Sequence, residues 1–506
     1  MRAPLLLFRR GSSSSSRQGG EEQQPRRTTT AGAGGGGRGK AGTARRRGST
    51  NAPAAAAAEP QQEEEEAPKN PAAGTSLKSL VNASRSGGGA SGSGGGSGTP
   101  QPPPSASSSP LHLSWLKGHG DGISSVAFSA DGAFLLTASR DRALRQWPFP
   151  SPSSSSSSAK ETPPLRRGAQ PTPAQPRSRA LHVSPLAASY LAGDASKGIV
   201  VLSRDGLNGP TLTAIPAFGS GGKNSDAPAA LWEAGPLPLI NGRRPVALLC
   251  SSSSSSSKSS PSPLVAVVSE RTELETFDAA TGRRTAAVDT GGLRTHGACC
   301  CSVGAEGGSG ALFAVATFAS DAKVYFFDGG NGESGSKAPS VQKAGWTLSH
   351  SSQVLAVSLS RDGTRAATSS RDGTWASWKT PGKKSNSASG ERTEATKLGS
   401  WKQDLPPEDF YRLLALSPDG SVLAAAAGGD LHFLCSGSGA LLGAVSPAHG
   451  GEVTTLCWSP QKKKVAGLEG GLEEEKWVLA SGGDDRAVRL WVAPEAGGDG
   501  SGWQRG

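Results

Sequence analysis

The chain has few aromatic residues, 5% of 506, a single methionine and six cysteines. Cys250, Cys299, Cys300, Cys301, Cys435 and Cys457 follow no paired, framework-like spacing, which argues against a disulfide-stapled scaffold and for a reducing compartment. No stretch reaches the ~20 apolar residues that a membrane helix needs, and "APLLLF" at 3–8 is too short for the core of a secretory signal. The opening "MRAPLLLFRRGSSSSSRQ" has no acid before Glu21 and is rich in Arg and Ser, as organelle transit peptides are. The whole region to residue 110 shares that bias, so the expected location is cytoplasmic.

Apolar periodicity is missing from residues 1–110, where "AGAGGGGRGK", "QQEEEEAPKN" and "SGGGASGSGGGSGTPQPPPSASSSP" are Gly, Ser, Pro, Ala and charge. Such a segment buries too little apolar surface to offset its ordering entropy and reads as a disordered tail; 494–506 reads as a second, short one. The net charge of +11 is unevenly placed. The tail holds 14 Lys and Arg against 7 Glu, leaving 39 basic and 35 acidic residues for the rest. A basic flexible tail permits weak, salt-dependent contact with RNA, whereas the remainder is nearly balanced.

What the chain does contain is a recurring distance. An aspartate precedes a tryptophan by six residues in "SRDRALRQW" (Asp141, Trp147), "SRDGTWASW" (Asp372, Trp378) and "DDRAVRLW" (Asp485, Trp491). His119 precedes Asp141 by 22 residues and His350 precedes Asp372 by 22, while His449 precedes Asp485 by 36 because "QKKKVAGLEGGLEEEK" intervenes. Around these markers "ISSVAFS", "VLAVSLS" and "FLLTAS" have the period of strands, and "ADG", "RDG" and "PDG" are turn tripeptides. Units of roughly 40 residues with three short antiparallel strands, the fourth lying in the next stretch, describe propeller blades.

These units resemble WD repeats, with Gly118 and His119, a strand-end Ser or Thr, a turn Asp and a Trp. The resemblance implies a hydrogen-bonded tetrad at His119, Ser139, Asp141 and Trp147, a second at His350, Ser370, Asp372 and Trp378, and a third copy carrying His449, Asp485 and Trp491. Weaker copies fill the gaps, among them "LFAVATFASDAKVYFFD" with Asp321 six residues before Phe327, and "LVAVVSERTELETFDAATG" with Arg271 and Phe277 in the two places. The expected fold is all-β, a seven-bladed WD-repeat propeller over 111–493, with approximate blades at 117–149, 181–207, 229–282, 293–330, 347–380, 408–440 and 449–493. "LHLSWL" at 111–116 supplies the strand that closes the ring. Low-complexity insertions at 150–178, 251–262, 381–400 and 461–476 fall in loops, where length costs little.

Beyond the repeat, "LKGHGDGISSVAFS", "SSRDGTWASWKT", "RLLALSPDGSVLAAAAGGDLHFL" and "GGDDRAVRLW" occur in an order similar to that of the transducin beta-like protein 2 group. That resemblance implies a noncatalytic scaffold at the endoplasmic reticulum, associated with a stress-activated translation kinase and with translation or RNA components. The animal members carry an N-terminal hydrophobic anchor that this sequence does not show, which counts against membrane attachment; the expectation is a cytoplasmic protein, with the cytosolic or membrane surface of that organelle as the alternative, monomeric within a complex. Other roles of WD propellers are an RNA- or ribosome-associated module and a substrate receptor or chromatin-complex subunit.

Catalytic and metal chemistry find little footing. "GGGGRGKA" has Gly34, Gly39 and Lys40 at phosphate-loop spacing, but Ala41 stands where Ser or Thr is needed. In "HGACCC", His296 precedes Cys299, Cys300 and Cys301, and adjacent strand residues point to opposite faces, so the thiols cannot converge on one metal. Ser139 with His119 and Asp141 lists the members of a hydrolytic triad, yet the set recurs where an enzyme needs one site. No cofactor is expected. "KKK" at 462–464 facing "EEE" at 473–475 reads as a solvated loop, which places Lys463 at the surface.

Overall fold

A computed structural model of the chain describes residues 111–149, 165, 176–205, 209–219, 230–235, 237, 244–251, 264–271, 273–291, 294–305, 308–328, 340–381, 394–466 and 473–494. The readings of 1–110 as a tail, of Lys40 as a loop lysine, and of 495–506 lie outside the described residues.

The strand signals become four-stranded antiparallel sheets. β1 (His112–Leu116) precedes blade 1, which is β2 (Ile123–Phe128), β3 (Phe134–Ser139), β4 (Ala143–Pro148) and β5 (Arg177–Ala180). Blade 2 is β6 (Pro185–Tyr190), β7 (Ile199–Asp205), β8 (Gly209–Ile215) and β9 (Trp232–Ala234). Blade 3 is β10 (Pro245–Cys250), β11 (Leu264–Ser269), β12 (Glu273–Asp278) and β13 (Arg284–Asp289). Blade 4 is β14 (Thr295–Ala305), β15 (Gly308–Thr317), β16 (Asp321–Asp328) and β17 (Ser340–Ser349). Blade 5 is β18 (Val354–Leu359), β19 (Arg365–Ser370), β20 (Thr374–Lys379) and β21 (Thr396–Lys402). Blade 6 is β22 (Leu413–Leu416), β23 (Val422–Ala427), β24 (Asp430–Cys435) and β25 (Leu441–Val445).

Blade 7 takes β26 (Val453–Trp458), then, past a hairpin of β27 (Lys463–Val465) and β28 (Glu474–Lys476), β29 (Val478–Gly483) and β30 (Val488–Val492). Its outer strand is β1, paired antiparallel with β30 so that Leu116 faces Val488. One end of the folded chain thus joins the other, and the sheet edge that an open array would expose is covered. The result is a seven-bladed all-β propeller. Among the described residues no helix is long and apolar enough to cross a membrane.

The core is divided among the blades. Seven buried apolar clusters each sit between two adjacent blades, from Leu136, Tyr190 and Ile199 between blades 1 and 2 to Leu113, Ile123 and Val488 between blades 7 and 1. A middle strand therefore buries both faces, and β11 (LVAVVS), β23 (VLAAAA) and β29 (VLASGG) are buried at every residue.

Three insertions differ from the loops expected of them. Residues 381–400 run into β21, whose side chains are mostly exposed, so its polar sequence hid an outer strand. Trp232–Ala234, assigned by sequence to the third blade, closes the second. The 461–476 insertion is a hairpin rather than a solvated loop, and Lys463 is buried at 1% exposure. Strand alternation explains this: Lys463 and Val465 share the inward face while Lys464 faces out and pairs with Glu473 at 3.6 Å. The Lys463 ammonium donates to the carbonyl of Gly132 in blade 1 at 2.8 Å and lies 5.6 Å from the centre of the Phe149 ring. Leu165, from the 150–178 insertion, bridges to Val465 and enters the same cluster.

Candidate functional site

The repeated polar residues meet inside blades 1, 5 and 7. In blade 1 the loop leading into β2 carries His119 down to the sheet, where Nδ1 lies 3.0 Å from Asp141 Oδ2 in the β3–β4 turn and Nε2 lies 2.8 Å from the hydroxyl of Thr137. Trp147 Nε1 donates to that same hydroxyl at 3.1 Å. A carboxylate at Nδ1 makes that nitrogen the donor, so Nε2 accepts from the hydroxyl, which accepts from the indole. Blade 7 repeats the chain through His449, Asp485, Ser481 and Trp491 at 2.9, 2.6 and 2.8 Å. In blade 5 His350 meets Thr368 at 2.7 Å and Trp378 donates to Thr368 at 2.8 Å, but Asp372 stands 3.6 Å from the ring and is held by Ser351 and Thr374.

The central hydroxyl is therefore Thr137, not Ser139, and Thr368, not Ser370. Ser139 and Ser370 end their strands, and each hydroxyl accepts the amide of the turn aspartate two residues on, at 3.1 and 3.2 Å. Two residues back along the same face, the hydroxyl lies diagonally across from the indole, since Trp147 is in register with Leu135 and Trp378 with Ala366. The residue after each turn aspartate has a left-handed backbone, which Gly373 adopts freely and Arg142 and Arg486 adopt at φ 64° and 66°.

Burial pushes the imidazoles of His119 and His350 below their ordinary value, against the raising effect of Asp141 and Asp372. Burial alone raises a carboxyl, but Asp141 is held below the usual range by the amides of Gly120 and Ala143 and by His119. Asp372 and Asp485 are likewise held down, Asp372 chiefly by Ser351 and Thr374 and Asp485 chiefly by His449. The connectivity matches a hydroxyl–imidazole–carboxylate relay, but Thr137, Thr368 and Ser481 have no exposed surface and each already receives an indole N–H. A substrate carbonyl has no approach to them.

A model of the family described as WD domain, G-beta repeat matches residues 109–148, 343–379 and 442–492. Those segments hold the three tetrads. Three of the seven blades are WD repeats. The family model leaves blades 2 and 3 unmatched and reaches only the outer strands of blades 4 and 6, and those four are the blades without the tetrad. No curated protein matches the chain.

The WD-repeat propeller is open elsewhere. On the face formed by the loops that lead into the innermost strands, a recess of about 410 Å³ lies across blades 4, 5 and 6. His296 and Leu355 line it from β14 and β18, Phe318 and Arg371 from the following hairpin turns, and Gln353, Glu408, Phe410 and Arg412 from the leading loops. His296 and Leu355 each occupy the extra position of a bulge, between Thr295 and Gly297 and between Val354 and Ala356. A bulge re-aims its side chain, and here it turns both toward the recess. The His296 ring lies 5.8 Å from that of Phe318, tilted by 31°. The metal reading of "HGACCC" is resolved by the pleat: Cys299 packs toward blade 5 and Cys300 toward blade 3. No pattern in the sequence marked the recess, because its eight residues come from three repeats.

Proposed function

We propose that the propeller is a noncatalytic protein-interaction scaffold that serves endoplasmic-reticulum stress signalling and translation control, working in the cytoplasm at the surface of that organelle. The observation that carries the scaffold reading is a contrast in access: the relay-like polar groups are sealed inside the blades while a recess with unpaired arginines is open on the loop face. Recognition needs accessible, convergent groups, and the buried hydroxyls offer none. The link to stress signalling rests on the resemblance of "SSRDGTWASWKT" and "GGDDRAVRLW" to the transducin beta-like protein 2 group.

A second reading, RNA or ribosome association, is favoured by the 14 basic against 7 acidic residues of 1–110. Affinity purification of the full chain and of a chain lacking 1–110, with and without ribonuclease, separates the two. The scaffold reading expects translation and stress-kinase proteins to survive both treatments. Their loss with either treatment assigns the association to RNA and the basic region instead.

A further inference from the structure

The recess across blades 4, 5 and 6 collects positive charge that nothing in the fold uses. Arg294, Arg371 and Arg412 are exposed, and none makes a side-chain hydrogen bond or ion pair among the described residues. Several arginines elsewhere are engaged: Arg140 pairs with Asp484 at 2.8 Å, Arg145 donates to the carbonyl of Gly118, and Arg179 donates to those of Pro216 and Ala217. Among the described residues, the only acid lining the recess is Glu408.

Apolar surface lies beside this charge. Phe318 is 39% exposed, among the few large apolar side chains left in water, and it borders Leu355 and Phe410. His296 adds a polar atom with no assigned role: its Nε2 is buried without a hydrogen-bond partner. Burial, and then the charges of Arg294, Arg412 and Arg371, push its imidazole below the ordinary value, which keeps the ring neutral in the recess wall.

We propose that this recess binds an acidic peptide segment of a partner protein, with a carboxylate side chain seated between Arg371 and Arg412 and an adjacent apolar side chain packed on Phe318 and Phe410. The proposal deepens the scaffold reading and rests on it. Guanidinium groups take carboxylates in bidentate pairs, and an aromatic anchor beside an arginine is the usual composition of an energetically dominant contact. The volume suits one or two side chains rather than a folded surface. A polynucleotide fits less well, since tracking a phosphate backbone needs a continuous basic groove. The same face carries exposed Asp121, Glu452 and Asp484, and Glu408 stands within the recess itself.

The test uses the full chain. Displayed random octapeptides are selected on it, and the most enriched peptide is synthesised with a fluorescent label. Asp or Glu beside an aromatic or aliphatic residue should dominate the selection. Affinity should fall about tenfold or more in the double variant Arg371→Glu, Arg412→Glu, and less in Phe318→Ala. It should be unchanged in Lys197→Glu, which lies in the β6–β7 turn on the opposite face. Superimposable melting curves show that the variants fold. Selection without acidic enrichment, or equal binding by the double variant, overturns the proposal. So does a labelled oligouridylate that the double variant loses while acidic peptides never bind. Cross-linked partners captured by wild type and double variant then separate the two levels of failure. Partners retained equally by both leave the scaffold standing without this recess, whereas none on either chain removes the scaffold as well.

Discussion

Blades 1, 5 and 7 fasten their leading loops with histidine and an Asp-bearing turn, whereas blades 2, 3, 4 and 6 reach the same four-stranded form without them. The substitutes differ from blade to blade. In blade 4 the Lys323 ammonium and the Tyr325 hydroxyl donate to the carbonyls of Thr290 and Gly291 in the leading loop, all near 2.9 Å. In blade 6 Tyr411 of the leading loop meets His432 of β24 at 2.6 Å, so the histidine has moved from loop to strand. In blade 3 the Arg244 amide of the leading loop donates to the Glu270 carboxylate in the β11–β12 turn at 3.3 Å, beside contacts within the sheet such as Ser269 with Glu273 and Thr276 with Thr285. The fold needs the loop fastened and the interblade layer filled, and the tetrad is one of several ways to do it.

The largest effect expected from that comparison falls on a tetrad tryptophan. Trp491 is fully buried, fills the layer between blades 6 and 7, and donates to Ser481. Trp491→Ala should destabilise the propeller by about 3–5 kcal/mol in chemical denaturation, combining a cavity with an orphaned Ser481–His449 pair. A loss below about 1 kcal/mol would mean that blade 7 is fastened by its β1 closure alone.

A sharper contrast uses two aspartates that each precede an aromatic residue by six but differ in register. Asp372 lies within the β19–β20 turn and Asp321 at the start of β16, so that Tyr325 rather than Phe327 stands where Trp378 does. Asp372 accepts hydrogen bonds from the Ser351 hydroxyl and from the amide and hydroxyl of Thr374, while the carboxylate of Asp321, six residues before Phe327, makes no hydrogen bond or ion pair among the described residues. Asp372→Ala should cost about 1–3 kcal/mol and Asp321→Ala less than about 0.5 kcal/mol. Equal costs would show that the hydrogen bonds of Asp372 add nothing to stability.

That pair also marks how much was legible. Blade number, strand order and ring closure follow from period-two patterning and turn tripeptides, which local sequence carries directly. The tetrad's histidines, aspartates and tryptophans follow from spacing, but its hydroxyl does not. Thr137 and Ser139 are both strand hydroxyls on one face, and only the cross-strand register decides which one meets the indole. The recess was invisible for a different reason. His296, Arg371 and Arg412 are ordinary residues in three separate repeats, brought together by the ring. The lysine run at 462–464 misled because composition reports solvation on average, while strand alternation turns one lysine in three inward.

Lys463 supplies the smallest effect and tests why blades 7 and 1, both with tetrads, meet at the seam where the ring closes. Its ammonium holds the Gly132 turn of blade 1 from the insertion of blade 7, and burial pushes it down to about 8 from an ordinary value of 10.5. The folded state therefore gives up its proton near pH 8 and the unfolded state near 10.5. Between those values the unfolded chain binds more protons, so stability lost to the buried charge below pH 8 is regained as pH rises. Lys463→Met keeps the volume without the charge and should change stability by less than about 1 kcal/mol at pH 7, because the lost hydrogen bond and the removed desolvation cost oppose each other. Denaturation of both proteins from pH 7 to 10.5 should then show the wild type gaining on the variant throughout the upper part of the range. A difference that stays flat would place the ammonium in water, and the seam would rest on the apolar contacts of Leu165, Val465 and Phe149 together with the pairing of β1 and β30.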